Sequence, residues 1–357
     1  MNKSFKERVT KFWQAFATEE AEVRSMMDNK VAGETLLDFV NNILSIAFNE
    51  IYFEMGINEE GKYELILTPE GDKAKLFQLH YWLSMAPPVV WEKWNFYSSK
   101  PGNSGFSHQL TMYDLTLHND DVPIYYSVDT DRRKVDVQIV SPKMMTLEED
   151  NRYSMFFIYL DRCIGEIYTM EYIGYIDFVE EIPLLPVAYM SNFKDVISNI
   201  IADNDWARPE NPKGFYSVYR LDPSESKDWK LREDVQIGGT CCIPVINSYL
   251  KHDETLFRRF EKDGVVFGFL FFDNTDVPKD SIVHFRGEIE DKIIEITEPR
   301  KIAESIGGAT GVHFSYMDFI IYDRDAFLPI AKDILDGYKF EQVGYSNFVY
   351  GDKPEVL

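Results

Sequence analysis

With 357 residues, 45% of them apolar and 27% charged, the chain is longer than an average domain and can bury a core, which excludes a disordered polypeptide. A formal charge of −23 argues against the basic patches that duplex nucleic acid or an anionic membrane surface requires; it serves to keep a soluble chain dispersed, to imitate nucleic acid or to dock on a basic partner. Three cysteines, two of them adjacent, make no disulfide framework, so the expected setting is a reducing cytoplasm.

The start, MNKSFKERVTKFW, has basic residues but no apolar run behind them, so no signal peptide is expected. No stretch of about 18 apolar residues offers a membrane span. Phe5, Val9, Phe12, Trp13 and Phe16 recur at helical spacing and predict an amphipathic helix from Ser4 to about Asp28. A second helix is expected from Ala32 to Phe48. IYFEMGI and YELILTP read as two strands of a hairpin joined by NEEGK. KAKLFQLHYWLSMA returns to helical period and stops at Pro87-Pro88. WEKWNFYSS reads as a strand and PGNSG as a loop.

LTLHNDDVPIYYSVDTDRRKVDVQIV holds two or three strands with a turn around Asp129 to Arg132. EEDNRYSMFFIYLDRCIGEI is expected as a helix with an acidic start, YTMEYIGYIDFVEEI as a strand, and SNFKDVISNIIADN as a helix capped by Ser191. The polar stretch DNDWARPENPKG, with two prolines and a glycine, is the best linker candidate and places the linker at 204–213. Beyond it GFYSVYRL predicts a strand, CCIPVINSYL and ETLFRRFEKDG helices, VVFGFLFFDN and SIVHFRGEIEDKIIEI strands. GVHFSYMDFIIYD, DAFLPIAKDILDG and FEQVGYSNFVY follow as strand, helix and strand. The expected fold class is α/β of the α+β sandwich type. Two domains, 1–203 and 214–357, would each carry an antiparallel or mixed sheet with helices mainly on one face. Tyr175-Ile-Asp-Phe178 and Tyr316-Met-Asp-Phe319 echo one another, which either a duplication or chance would produce.

A pattern of residues links the first half to other proteins: Phe12-Trp13 with Phe16, Phe53-Glu54-Met55-Gly56, Glu64-Leu65-Ile66-Leu67 with Glu70-Gly71, Ala86-Pro87, and Trp94 before Phe96. It continues through Leu160-Asp161 with Gly165-Glu166 and Ile173-Gly174-Tyr175-Ile176-Asp177-Phe178. Over residues 5–180 the chain thereby resembles a set of uncharacterised bacterial proteins, and the resemblance implies a small α/β sandwich. Gly308-Ala309-Thr310-Gly311 and Tyr316-Met317-Asp318-Phe319 give the second half a similar likeness to a domain of unknown function. Neither likeness implies an activity.

Candidate chemistry is sparse. In IGGTCC (237–242), Thr240 as a helix cap would set Cys241 and Cys242 in a first turn whose free N–H groups lower a thiol pKa, with His313 or His252 as base. The opposing reading is a turn with buried, inert thiols. IGGATG (306–311) lacks the Lys-Ser/Thr of a phosphate loop and reads as a tight connection. His108 and His118 lack zinc spacing, and Asp120-Asp121 and Asp129-Thr-Asp131 lack a calcium loop's final Glu. No metal or cofactor is therefore expected. Glu180-Glu181 would alternate faces in a strand. Asp177 and Asp318 interrupt apolar strands, as edge charges or as hydrogen-bonded buried acids. Trp91, Trp94 and Phe96 offer either a binding surface or sheet core. The sequence thus favours a non-catalytic binding or regulatory protein with an acidic surface, in its most specific form an immunity-type inhibitor of a basic protein. A cysteine-dependent enzyme and a small-ligand sensor with a pocket between domains are the alternatives.

Overall fold

Ser4 begins the first helix by accepting a hydrogen bond from the Glu7 N–H at 3.3 Å, which satisfies a donor the helix itself leaves free. In the computed structural model, which describes residues 3–102, 109–208, 211–224, 226, 230–274, 276–278 and 280–357, this is α1 (Phe5–Asp28). It is followed by α2 (Gly33–Leu44), β1 (Tyr52–Ile57), β2 (Tyr63–Thr68), α3 (Lys73–Ser84), β3 (Trp94–Tyr97), β4 (Gln109–Met112), β5 (Leu115–His118), β6 (Pro123–Asp129) and β7 (Lys134–Ile139). Then come α4 (Glu149–Ile164), α5 (Glu166–Tyr172), β8 (Ile173–Phe178), β9 (Val187–Tyr189), α6 (Phe193–Asp203), β10 (Ser217–Arg220), β11 (Val235–Thr240), α7 (Ile243–Leu250) and α8 (Thr255–Asp263). The chain ends with β12 (Val266–Asp273), α9 (Ile282–Thr297), β13 (Ala303–Gly311), β14 (Phe314–Ile321), α10 (Arg324–Leu335), β15 (Val343–Asn347) and β16 (Glu355–Val356). The fold is α/β; the strand pairs of the seven-stranded sheet are antiparallel, and the four-stranded sheet includes a parallel β7–β8 pair.

The chain gathers into two compact units. Unit 1 comprises Met1–Ile51, His80–Trp94 and Asn211–Leu357; unit 2 comprises Tyr52–Leu79 and Asn95–Glu210. The change of unit at 210/211 falls inside the polar stretch 204–213. The segments 1–51 and 80–94, however, group with the C-terminal part rather than with the remainder of 1–203. Of that stretch, 209–210 lie outside the described residues, while Trp206 is buried and stacks on Tyr172 at 6.0 Å.

Unit 1 is built on a seven-stranded sheet ordered β10-β11-β13-β14-β12-β15-β16. Leu270, Phe272, Met317 and Phe319 share a core with Ile289 and Ile293 of α9 and Phe327 and Leu335 of α10. The alternate residues Phe267 and Phe269 meet Phe257, Phe260 and Tyr249 of α8 and α7. With side chains packed on both faces, every residue of β14 is buried, including the polar Ser315 and Asp318. Helix α1 adds Phe5, Phe12, Trp13 and Phe16. Trp13 stacks on Trp82 at 4.9 Å and donates its indole N–H to the Trp82 carbonyl, while the Phe5 N–H is taken by the Gly264 carbonyl. Each such ring buried contributes about 1.5–3 kcal/mol.

Unit 2 holds the four-stranded sheet β8-β7-β6-β9, whose Ile124, Val135, Val137 and Ile139 pack with Phe156, Leu160, Phe193 and Ile197 of α4 and α6.

Several expectations are corrected. SIVHFRGEIEDKIIEI is not a strand but α9, because Ile282, Ile289 and Ile293 recur at seven and four and form its buried stripe. YTMEYIGYIDF is helical up to Tyr172; Gly165, at φ +95°, breaks the preceding helix and a new one starts at Glu166. The N-cap of α6 is Asn192, and Ser191 instead donates to Asp120. Both glycine stretches are strand rather than turn: IGGT ends β11 and IGGATG ends β13. The strand in WEKWNFYSS is confined to Trp94–Tyr97, since Pro88–Glu92 coils as a 3-10 turn. The echoed tetrapeptides occupy unlike places. Asp177 is exposed on a sheet-edge strand, whereas Asp318 is fully buried in β14 between two neighbours.

Candidate functional site

Four segments of unit 2 converge on one cavity. On α4, Ser154, Phe157, Ile158 and Asp161 stand at i, i+3, i+4 and i+7, so they share a face. On α5, Glu166, Thr169 and Met170 do the same over one turn, and Glu70 and Gly71 follow the end of β2. With Lys100, these residues line a cavity of about 550 Å³. Its walls combine apolar Phe157, Ile158 and Met170 with a concentration of carboxyl groups.

Glycines bring the segments together. Gly102 lies so close to Gly165 that a Cβ on it would sit 2.3 Å from the Gly165 nitrogen. This approach lets the Lys100 N–H donate to Glu166 Oε2 at 2.8 Å and the Glu166 N–H donate to the Lys100 carbonyl at 3.1 Å. The Lys100 ammonium itself turns to Glu54 at 3.4 Å. Among the described residues, Glu166 therefore has a buried carboxyl group with hydrogen bonds but no cation bound to it.

The Thr68 hydroxyl lies against Glu166 Oε1 and also 2.9 Å from Glu70 Oε1. One hydroxyl hydrogen serves one carboxylate fully at a time, so the shared hydroxyl favours a proton on the more buried of the two acids. Burial selects Glu166, which is 1% exposed, and pushes its pKa up to about 7 against the hydrogen bonds from Thr68 and Lys100. Burial likewise pushes Asp161 up to about 6, opposed by the Thr169 hydroxyl and the Lys100 charge. Asp161 Oδ1 is enclosed and has no hydrogen-bond partner among the described residues. Near neutral pH this cavity can therefore accept a cation or give up a proton.

The residues singled out in the sequence are scattered. Thr240 is not a helix cap but the last residue of β11; Cys242 occupies the N-cap, so neither thiol lies in a first turn. The Cys241 N–H is already taken by the Ile306 carbonyl, and burial pushes the Cys241 thiol up to about 12, away from thiolate. Cys242 is buried as well. His313 lies beyond the far end of the β11–β13 pair, about 17 Å or more along the strands from Cys241. His252 follows the distal end of α7, about 15 Å along the helix from Cys242, and stacks on Tyr350 at 3.5 Å. No thiol–imidazole pair is assembled from these four residues.

Trp94 and Phe96 are buried, with Trp94 set against Phe16 and donating to Glu20 at 3.2 Å; Trp91 alone of the three is exposed. His118 is exposed on β5, and His108 lies outside the described residues. Asp318 forms a two-pronged ion pair with Arg232 at 2.6 and 3.2 Å, walled by Tyr249, Phe269, Tyr316 and Phe348. Among the described residues, no group of three or more His, Cys, Asp or Glu could hold a metal ion, and no helix is long and apolar enough to cross a membrane.

Sequence reasoning missed Asp161, Glu166, Lys100 and Thr68. The available signal was an acid closing an apolar helical face, four residues before a Gly-Glu pair. Glu70-Gly71, Asp161 and Gly165-Glu166 also carry the resemblance described above, there without a role. Comparison with known proteins finds no matching family model, no matching curated protein and no matching solved structure.

Proposed function

We propose that this protein is a non-catalytic binding protein that takes a small cationic ligand with an apolar portion into the cavity of unit 2. The observation that carries the reading is the Thr68 hydroxyl shared between Glu70 and Glu166 in a cavity of about 550 Å³, a size suited to a small organic molecule. A buried acid that keeps its proton for want of a cation is an acid that a cation can discharge. An ammonium group would pair with Glu166 and Asp161 as they ionise, while Phe157, Ile158 and Met170 cover its hydrocarbon. Lys100 is held by Glu54 and does not occupy that role. The test is thermal unfolding with n-butylammonium and with n-butanol as the uncharged match. The amine raises the melting temperature of the wild type, and the rise shrinks in Asp161→Asn. Equal responses to amine and alcohol, or no response to either, would sink the reading.

A second reading, association with a basic protein, has one specific support. Ile182, Leu184 and Val187 stand exposed beside the exposed acids Asp177, Glu180 and Glu181. A partner captured at low salt and released at high salt would favour it, and loss of capture in Leu184→Glu would place it on this patch.

A further inference from the structure

The two glycine stretches that stand out in the sequence meet in unit 1. In the antiparallel pairing of β11 with β13, Gly239 faces Gly308 and Thr240 faces Gly307. Their missing side chains make room for others. The Tyr216 hydroxyl lies where a Cβ of Gly239 would be, at 1.9 Å, and Arg286 of α9 lies over Gly308, its Cζ and Nε each 3.3 Å from the Cβ position. Gly307 adopts φ +135°, and a Cβ there would meet the Gly239 carbonyl oxygen at 2.1 Å, so the floor is closed to larger residues. Above it is a cavity of about 270 Å³.

The charge of this cavity runs against that of the protein. The chain has 60 acidic residues to 37 Lys and Arg, yet the ionisable residues that line the cavity include Lys213 and Arg286 against one carboxyl, Glu290. Burial pushes Glu290 up to about 6, and the Ser305 hydroxyl donates to it. Lys213 reaches Glu298 at 2.6 Å and Glu304 at 3.9 Å, neither of which lines the cavity. Arg286 is the less satisfied of the two cations. Its one hydrogen bond among the described residues runs from Nη1 to the Thr310 hydroxyl at 3.2 Å, and its Nε is enclosed without a partner. An unsatisfied buried donor is costly, and most of all when it carries charge, while the Nε–Nη2 edge of a guanidinium matches the two oxygens of a carboxylate.

We infer that the cavity over Gly239, Gly307 and Gly308 is a binding site for a small carboxylate anion, held by the Arg286 guanidinium with Lys213 beside it. The volume restricts the occupant to a short organic acid. This site is independent of the cation-binding reading for unit 2, which can stand or fall without it.

The experiment follows the backbone amide resonances of Gly239, Gly307 and Gly308 in the full-length protein during titration with sodium propionate, with sodium chloride at matched ionic strength as the blank. The expected result is a saturable shift of these amides with propionate and none with chloride. Arg286→Lys, which keeps the charge but loses the fork, weakens the affinity about tenfold or more, with its melting temperature recording that it is folded. Lys213→Gln, a change at an exposed side chain, weakens it to a lesser degree. A shift that does not saturate, or an unchanged affinity in folded Arg286→Lys, overturns the site. Tighter binding of inorganic phosphate than of propionate at the same amides overturns the carboxylate class.

Discussion

Replacing Glu166 with glutamine removes a buried ionisable group while preserving its hydrogen bonds. The introduced amide oxygen can accept from the Lys100 N–H, and the amide NH₂ can donate to the Thr68 hydroxyl, which then donates to Glu70 as it does beside the protonated acid. The wild-type acid rises from an ordinary 4.5 to about 7 on folding, and at about 1.4 kcal/mol per pH unit this corresponds to about 3 kcal/mol. Between those two values the folded chain holds a proton that the unfolded chain has released. Its contribution to stability is therefore complete below pH 4.5 and is lost as the pH rises through 7. Asp161, raised from 3.8 to about 6, acts in the same direction in both proteins. Relative to the wild type, Glu166→Gln should accordingly gain up to about 3 kcal/mol between pH 4.5 and pH 8. Urea denaturation across that range, with hydrogen exchange in α4 and α5 as the local reporter for unit 2, measures the difference. Parallel stability curves for the two proteins would refute the argument, because they would mean that Glu166 ionises in the folded state as easily as in the unfolded one.

Three further outcomes follow from the same geometry. Cys241 and Cys242 should alkylate with iodoacetamide at pH 7.5 far more slowly than a free thiol until the protein is unfolded, and a native rate equal to that of glutathione would restore the nucleophile. Asp318→Asn leaves Arg232 charged and buried without its carboxylate and should cost about 3–5 kcal/mol in urea denaturation; a cost below about 1 kcal/mol would show that Arg232 finds another partner. Gly102→Ala should push 100–102 away from Gly165, lengthen the Lys100–Glu166 bond and abolish the melting response to n-butylammonium, whereas an intact response would detach the cavity from that glycine contact.

What the sequence made legible is what is local. The period of Phe5, Val9, Phe12 and Phe16 specifies α1, Gly264 ends α8 in the left-handed region at φ 86°, and NEEGK turns β1 into β2. Reading failed where isoleucine pulled against periodicity, as in α9, whose β-branched residues suggest a strand while their spacing makes a helix. It failed again where glycine was taken for a turn, although in β11 and β13 its use is to admit Tyr216 and Arg286 against the sheet. The cavity of unit 2 was beyond local reading altogether. Thr68, Lys100 and Glu166 come from three separate segments, and the hydrogen bonds that join them at the Glu166 carboxyl group form where Gly102 approaches Gly165.

Asp177 and Asp318 show why acid residues in this chain defy reading by motif. The same three-letter frame leaves one exposed at an edge and buries the other against Arg232. With acids so far in excess of bases, one-to-one pairing is impossible, and a buried carboxyl group without a cation has one remaining way to avoid the cost of its charge, which is to keep its proton. Asp161 and Glu166 are shifted upward with burial as the leading cause, and burial outweighs a nearby cation at Glu290, beside Arg286, and at Glu304, beside Lys213. Protons held in this way can be exchanged for a ligand's positive charge, so the carboxyl-lined cavity of unit 2 should prefer cations, and more strongly as the pH rises through 6 to 7. The cavity beside Arg286 has the reverse balance and should not share that preference. An amine that bound both cavities alike, or bound unit 2 more tightly at pH 5 than at pH 8, would contradict this electrostatic argument at its root.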